Sequence, residues 1–141
     1  MIDKKLVEKK LKAIEAYLGE IQKSPAVNKF EDFANNVQFK RFVERNVELC
    51  IEKMIDVCRH IVSRLNLKEP ESYSECFELL AKECVIDRKF LTTLQSIVRY
   101  RNLLIHAYEK IDDNITYGIY KKHLNDITTF ITIIRKYINK K

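Results

Sequence analysis

Apolar residues recur along the chain at three- and four-residue steps, with lysines and glutamates filling the other side of each stripe, which is the pattern of amphipathic helices. Residues 2–23 place Val7, Leu11, Ile14, Leu18 and Ile21 on one seam, and Ser24-Pro25 stops the run. A short helical connector is predicted over 28–36, with Phe30 and Phe33 folded back onto the core. The longest helix is predicted over 37–66, on Val43, Val47, Cys50, Met54, Val57, Cys58, Ile61 and Leu65. Residues 66–72, with Pro70, form the clearest loop, and 73–84 a short helix carrying Phe77, Leu80 and Ala81. Asp87 is placed to cap a helix over 87–108, and Asp112-Asp113-Asn114 to turn the chain after it. A last helix over 116–139 shows Tyr120, Leu124, Ile127, Ile131, Ile134 and Ile138 in near-heptad spacing.

Four such seams joined by short polar connections predict an all-α fold: an antiparallel four-helix up-and-down bundle with one or two short extra helices, built as one domain over 1–141. The frequent loops argue against an extended coiled coil. With 46% hydrophobic and 33% charged residues, and only two Gly and two Pro, the composition is that of a folded, helix-rich chain. The first thirty residues alternate charged and apolar positions as no leader peptide does, and no apolar run is long enough to span a bilayer, so a cytoplasmic location without membrane contact is expected.

The formal charge of +6 favours anionic partners such as nucleic acid without identifying one. That charge is polarised: residues 69–87 hold six carboxylates and one Lys, whereas 121–141 hold six Lys or Arg against Asp126. Cys50, Cys58, Cys76 and Cys84 lack the close pairing of a zinc site, and Cys50 and Cys58 fall on apolar helical positions, as reduced core thiols do. No metal site and no cofactor are predicted.

The anomaly lies in the helix after Asp87. Phe90, Leu94, Ile97 and Val98 set an apolar stripe whose continuation lands on Arg101, Leu104, Ile105 and Tyr108. A guanidinium keeps its charge, so at a packed seam it needs a carboxylate, a second subunit or an anionic ligand. There is no glycine-rich phosphate loop, no G-x-S-x-G and no H-E-x-x-H. What remains is Arg101, Asn102, His106 and Tyr108. At about 100° per residue, Asn102 and His106 share one face while Arg101 lies on the neighbouring face with Ile105 and Tyr108. A two-fold dimer is the arrangement that lets Arg101 and His106 converge. The plainer account is an interhelical ion pair beside a polar-face histidine. His60 and His123 are read as structural or surface residues, and Tyr100 and Tyr117 as packing residues.

The string Arg101-Asn102-Leu103-Leu104-Ile105-His106-Ala107-Tyr108 resembles the Arg-x4-6-His signature of the HEPN superfamily. More narrowly it resembles the HEPN ribonuclease toxins paired with a minimal nucleotidyltransferase antitoxin, in which Arg-x4-His-x-Tyr is typical. The likeness extends over Arg45 to Glu52, Ile55 to Ile61, Pro70 to Phe77, Ile111-Asp112 and the final helix. It implies a metal-independent endoribonuclease working as a homodimer, in which the RNA 2′-hydroxyl attacks the adjacent phosphate to leave a 2′,3′-cyclic phosphate. Arg101 and His106 would be catalytic with Asn102 in support, and Tyr108 would be the site at which the antitoxin attaches adenylyl groups. Two other classes stay open: a noncatalytic adaptor or nucleotide-binding partner of a nucleotidyltransferase, and a purely structural helical dimer.

Overall fold

Val7, Leu11, Ile14, Leu18 and Ile21 form the buried side of helix α1 (Lys4–Lys23), as their spacing predicts. A one-turn-scale helix α2 (Phe30–Ala34) follows and buries Phe33. Helix α3 (Val37–Arg64) is the central element, about 42 Å long at 1.5 Å per residue, and contacts α1, α2 and three of the later helices. Helix α4 (Tyr73–Lys82) is short, and helix α5 (Arg88–His106) carries the Arg-Asn string. A 3-10 turn (Tyr108–Lys110) leads to α6 (Asp113–Gly118), a π turn (Ile119–His123) and α7 (Leu124–Lys140). This computed structural model describes residues 1–140.

The pairings show why the bundle runs up and down. Asp3 N–H donates to His60 Nε2 at 3.0 Å, Lys10 pairs with Asp56 at 3.3 Å, and Asn46 Nδ2 donates to the Tyr17 carbonyl at 3.0 Å, so α1 and α3 are antiparallel. Arg135 of α7 binds Glu8 and Glu15 of α1, while Val27, after α1, donates to the Tyr120 hydroxyl at 3.1 Å, so α7 is antiparallel to α1. Between them lies one continuous apolar core that includes Leu11, Ile14, Ile51, Met54, Leu80, Leu94 and Ile127. Cys50, Cys58 and Cys76 are buried in it as free thiols and Cys84 is exposed. Burial without a partner charge pushes the Cys50 thiol up to about 12, which keeps it protonated and inert.

Local chemistry sets the element ends. Asn36, Ser72 and Asp87 accept the backbone N–H groups of Phe39, Glu75 and Phe90 and so cap α3, α4 and α5. Asn66 and Cys84 adopt left-handed backbone, φ 56° and 60°, and end α3 and α4. In each case the next residue's N–H reaches back a full turn, Leu67 to the Val62 carbonyl at 3.3 Å and Val85 to Leu80 at 2.9 Å.

Several boundaries differ from the sequence expectation by two or three residues, and two of them have a visible local cause. The last helical region starts at Asp113, because Asp112 accepts the Ile115 N–H at 3.0 Å and acts as an N-cap rather than merely as a turn. Helix α5 stops at His106 rather than at 108: Ala107 leaves helical backbone with φ −148° and ψ 48°. The second difference changes where Tyr108 goes.

Candidate active site

Along α5 the buried stripe runs Leu91, Leu94, Ile97, Val98 and then Tyr100, whose hydroxyl is 3.0 Å from that of Thr116. Burial pushes the Tyr100 hydroxyl well above its ordinary range, in keeping with a packing role. Arg101 is therefore displaced to the edge of the core, and Ile105 is exposed.

Arg101 is met by two neighbours. Its Nε donates to Glu52 Oε1 of α3 at 2.7 Å, and its guanidinium lies over the Tyr73 ring of α4, 4.8 Å from the centroid. Its side chain keeps only 11% of its exposure. A third contact, Nη1 to Asn102 Oδ1 at 3.3 Å, links it to the next residue on the helix. The ion pair of the plainer account is thus present. It uses one edge of the fork, which leaves a planar, permanently charged group fixed against an aromatic face.

Asn102 and His106 lie one turn apart on the exposed face of α5, with Ile105 between them 43% exposed. His106 is the last helical residue. Within one chain the arginine faces α3 and α4 while the histidine faces outward, which is the separation expected for side chains that a single helix cannot bring together.

Tyr108 is the residue whose placement departs most from expectation. Two further helical turns from Arg101 would have put its ring above the guanidinium. Because α5 ends at His106, the chain instead turns onto α3, and the Tyr108 hydroxyl donates to Glu44 Oε1 at 2.8 Å. Arg41 lies over the same ring at 5.7 Å. Glu44 and Glu52 are eight residues apart, so Tyr108 and Arg101 engage α3 at points about 12 Å apart along its axis. The hydroxyl is not left to water. Burial and the Glu44 hydrogen bond both push it above its ordinary range.

The other histidines fall where they were expected. His60 accepts the Asp3 N–H, and burial, helped by the nearby Arg64, lowers its pKa. His123 Nδ1 is 2.9 Å from Asp126. Among the described residues, no three His, Cys, Asp or Glu side chains are grouped to hold a metal ion, and no helix is long and apolar enough to cross a membrane.

With this geometry in view, comparison with known proteins is decisive on family. Residues 14–134 match the family described as ribonuclease HepT-like. The chain belongs to the HepT-like ribonucleases. It is 31% identical over 90 residues to the mRNA nuclease HepT of Shewanella oneidensis, covering 64% of this chain and 68% of that protein. It is 23% identical to the tRNA nuclease HepT of Aphanizomenon flos-aquae over 97% of this chain and 92% of the relative. Its backbone superposes with a TM-score of 0.84 on the tri-AMPylated Shewanella oneidensis HEPN toxin in complex with MNT antitoxin, at 26% identity over 96% of this chain and 99% of that one. A toxin–antitoxin structure with AMP-PNP gives the same TM-score at 25% identity, covering 94% and 98%.

Membership in this family makes the chain a ribonuclease of helical-bundle fold. What sequence reasoning missed is the α3 side of the site. Glu44, Glu48 and Glu52 recur at four-residue steps and so share one face of α3, opposite an arginine that needs a carboxylate. That spacing was the available signal for Glu44 and Glu52. Tyr73 had none, because it lies one residue past a loop whose path sets its ring on α5.

Proposed function

We propose that this chain is a metal-independent endoribonuclease toxin that cuts RNA by attack of a ribose 2′-hydroxyl on the adjacent phosphate, and that a minimal nucleotidyltransferase antitoxin restrains it. The observation that carries the reading is the end of α5, where a fixed arginine and an exposed histidine stand five residues apart in a HepT-like ribonuclease.

The chemistry follows from residue type. Histidine titrates near neutrality and can take the 2′-hydroxyl proton or deliver one to the departing 5′-oxygen. The Arg101 guanidinium is positioned on Glu52 and Tyr73 before substrate arrives, so it can stabilise the phosphorane oxygens without reorganising. Asn102, on the His106 face, orients the imidazole or donates to the phosphate. The products are a 2′,3′-cyclic phosphate and a free 5′-hydroxyl. Neither step calls for a metal ion or a cofactor.

Two copies complete the site. Exposed Ile105 lies between Asn102 and His106, and a two-fold contact there sets each histidine beside its copy, giving one imidazole for each proton transfer. The excess of basic residues gathers RNA without regard to sequence. Control by a nucleotidyltransferase is supported by the AMPylated state and MNT complex of the Shewanella relative. Tyr108 is the candidate acceptor, since an attached AMP brings a phosphodiester and a base on a tether long enough to compete for the Arg101 region. End-group analysis of RNA cut by the purified chain tests the reading: 2′,3′-cyclic phosphate ends support it, and 3′-hydroxyl ends overturn it.

A further inference from the structure

Tyr108 and α3 make an arrangement that RNA cleavage does not use. The Tyr108 hydroxyl donates to Glu44 Oε1 at 2.8 Å, and that same oxygen is 3.4 Å from Arg41 Nη1. The Arg41 guanidinium in turn covers the Tyr108 ring at 5.7 Å. Glu44 keeps 10% of its side-chain exposure and Arg41 54%. A phenol, a nearly buried carboxylate and a solvent-facing cation thus close a triangle at the surface.

A tyrosine is a weak nucleophile while it holds its proton, and burial together with the Glu44 bond makes this proton harder to lose to solvent. A base already in contact removes that obstacle by taking the proton as the new bond forms. We infer that Glu44 is the general base, and Arg41 the phosphate-binding group, for nucleotidyl transfer from a nucleoside triphosphate to Tyr108. The inference rests on the reading of Tyr108 as the modified residue.

The Tyr108 oxygen attacks the α-phosphorus of ATP; the bond from that phosphorus to the bridging oxygen breaks, and pyrophosphate leaves with the electron pair. The phenolic proton passes to Glu44 and from there to solvent. Arg41 has one end on Glu44 and the other in water, so its free N–H groups can bind the α-phosphate oxygens before and after transfer. Arg101 is not available for this, being held on Glu52 about 12 Å along α3. A nucleotidyltransferase partner would bring the nucleoside triphosphate; this chain supplies nucleophile, base and acceptor-side cation.

The test incubates the full chain with its cognate nucleotidyltransferase, ATP and Mg²⁺ and follows intact mass with time, for the wild type and for Tyr108→Phe, Glu44→Gln, Glu44→Ala and Arg41→Gln. Circular dichroism and melting confirm that each variant is folded; Gln at 44 can still accept the Tyr108 bond. The wild type gains adenylyl mass and Tyr108→Phe does not. Glu44→Gln and Arg41→Gln slow the gain at least about tenfold, and formate restores part of the rate lost in Glu44→Ala. Modification of Glu44→Gln at the wild-type rate, or a slow Glu44→Ala that formate leaves slow, overturns the base assignment. Arg41→Gln at the wild-type rate overturns the phosphate assignment. A wild type that gains no mass instead removes the Tyr108 reading beneath both.

Discussion

Arg101 Nε lies 2.7 Å from Glu52 Oε1, so the arginine that interrupts the α5 stripe is tied to α3 at a fixed point. A carboxylate in this position does two opposing things. It offsets part of the positive charge offered to phosphate, and it removes the rotamer search that a free arginine would make on binding. If orientation dominates, as the additional stacking on Tyr73 argues, Glu52→Ala lowers kcat for RNA cleavage about tenfold, in a protein whose melting temperature also falls because the nearly buried Arg101 charge loses its carboxylate. A rise in activity in the steady-state assay indicates that charge compensation is the larger effect.

His106 is exposed at the end of α5, so its loss has little structural consequence. His106→Ala lowers cleavage at least about a hundredfold by removing a proton-transfer group, and shifts unfolding stability by no more than about 0.5 kcal/mol. Arg101→Ala causes a similar loss of activity and also a measurable loss of stability, because it strands Glu52 and uncovers Tyr73. Parallel cleavage assays and denaturant titrations separate the two patterns.

Arg135 joins α7 to Glu8 and Glu15 of α1, and its hydrogen bonds hold both carboxyls below the ordinary carboxylate range. The sign follows from linkage. Because these groups bind protons less readily folded than unfolded, their contribution is fully present above the unfolded carboxylate range near pH 4.5 and is lost as pH falls through the lowered folded values. The melting temperature is therefore insensitive to these groups at neutral pH and declines in acid, and Arg135→Gln reduces that decline. The effect is modest because the carboxylates are partly solvent-screened. Melting curves between pH 3 and pH 7 for both proteins provide the check.

Cys84 holds left-handed backbone at the end of α4 with its side chain exposed. A Cβ in that region costs about 1 kcal/mol or more, only partly offset by the greater unfolded-state entropy of glycine. Cys84→Gly raises the denaturant midpoint, by about 0.5 kcal/mol in stability; an unchanged or lower midpoint contradicts this.

The seams were legible because each long helix buries one stripe in one core: Val7 to Ile21 and Ile127 to Ile138 were readable from spacing alone. The Asp87 cap was readable too, since its side chain acts within three residues. The end of α5 was not. Nothing in Ala107-Tyr108 breaks a helix by propensity; what accompanies the break is a tertiary bond, Tyr108 to Glu44, made across 64 residues of sequence. The same limit hid Tyr73, and it left Glu52 legible only as one of three carboxylates on a shared face of α3, before α3 and α4 pack on α5. Arg101 could be singled out as a charge out of place, but which carboxylate met it was a property of the fold.

In the proposed reaction Arg101 and His106 direct a 2′-hydroxyl against its neighbouring phosphate without a metal ion. The most direct measurement takes one RNA strand that the chain cuts at a mapped bond, in EDTA, and compares it with the same strand carrying a single 2′-deoxy nucleotide on the 5′ side of that bond. The expected result is undiminished cleavage of the first strand in EDTA and loss of that one cut in the second. Cleavage abolished by EDTA and restored by a divalent cation, or an unchanged cut at the 2′-deoxy position, contradicts it.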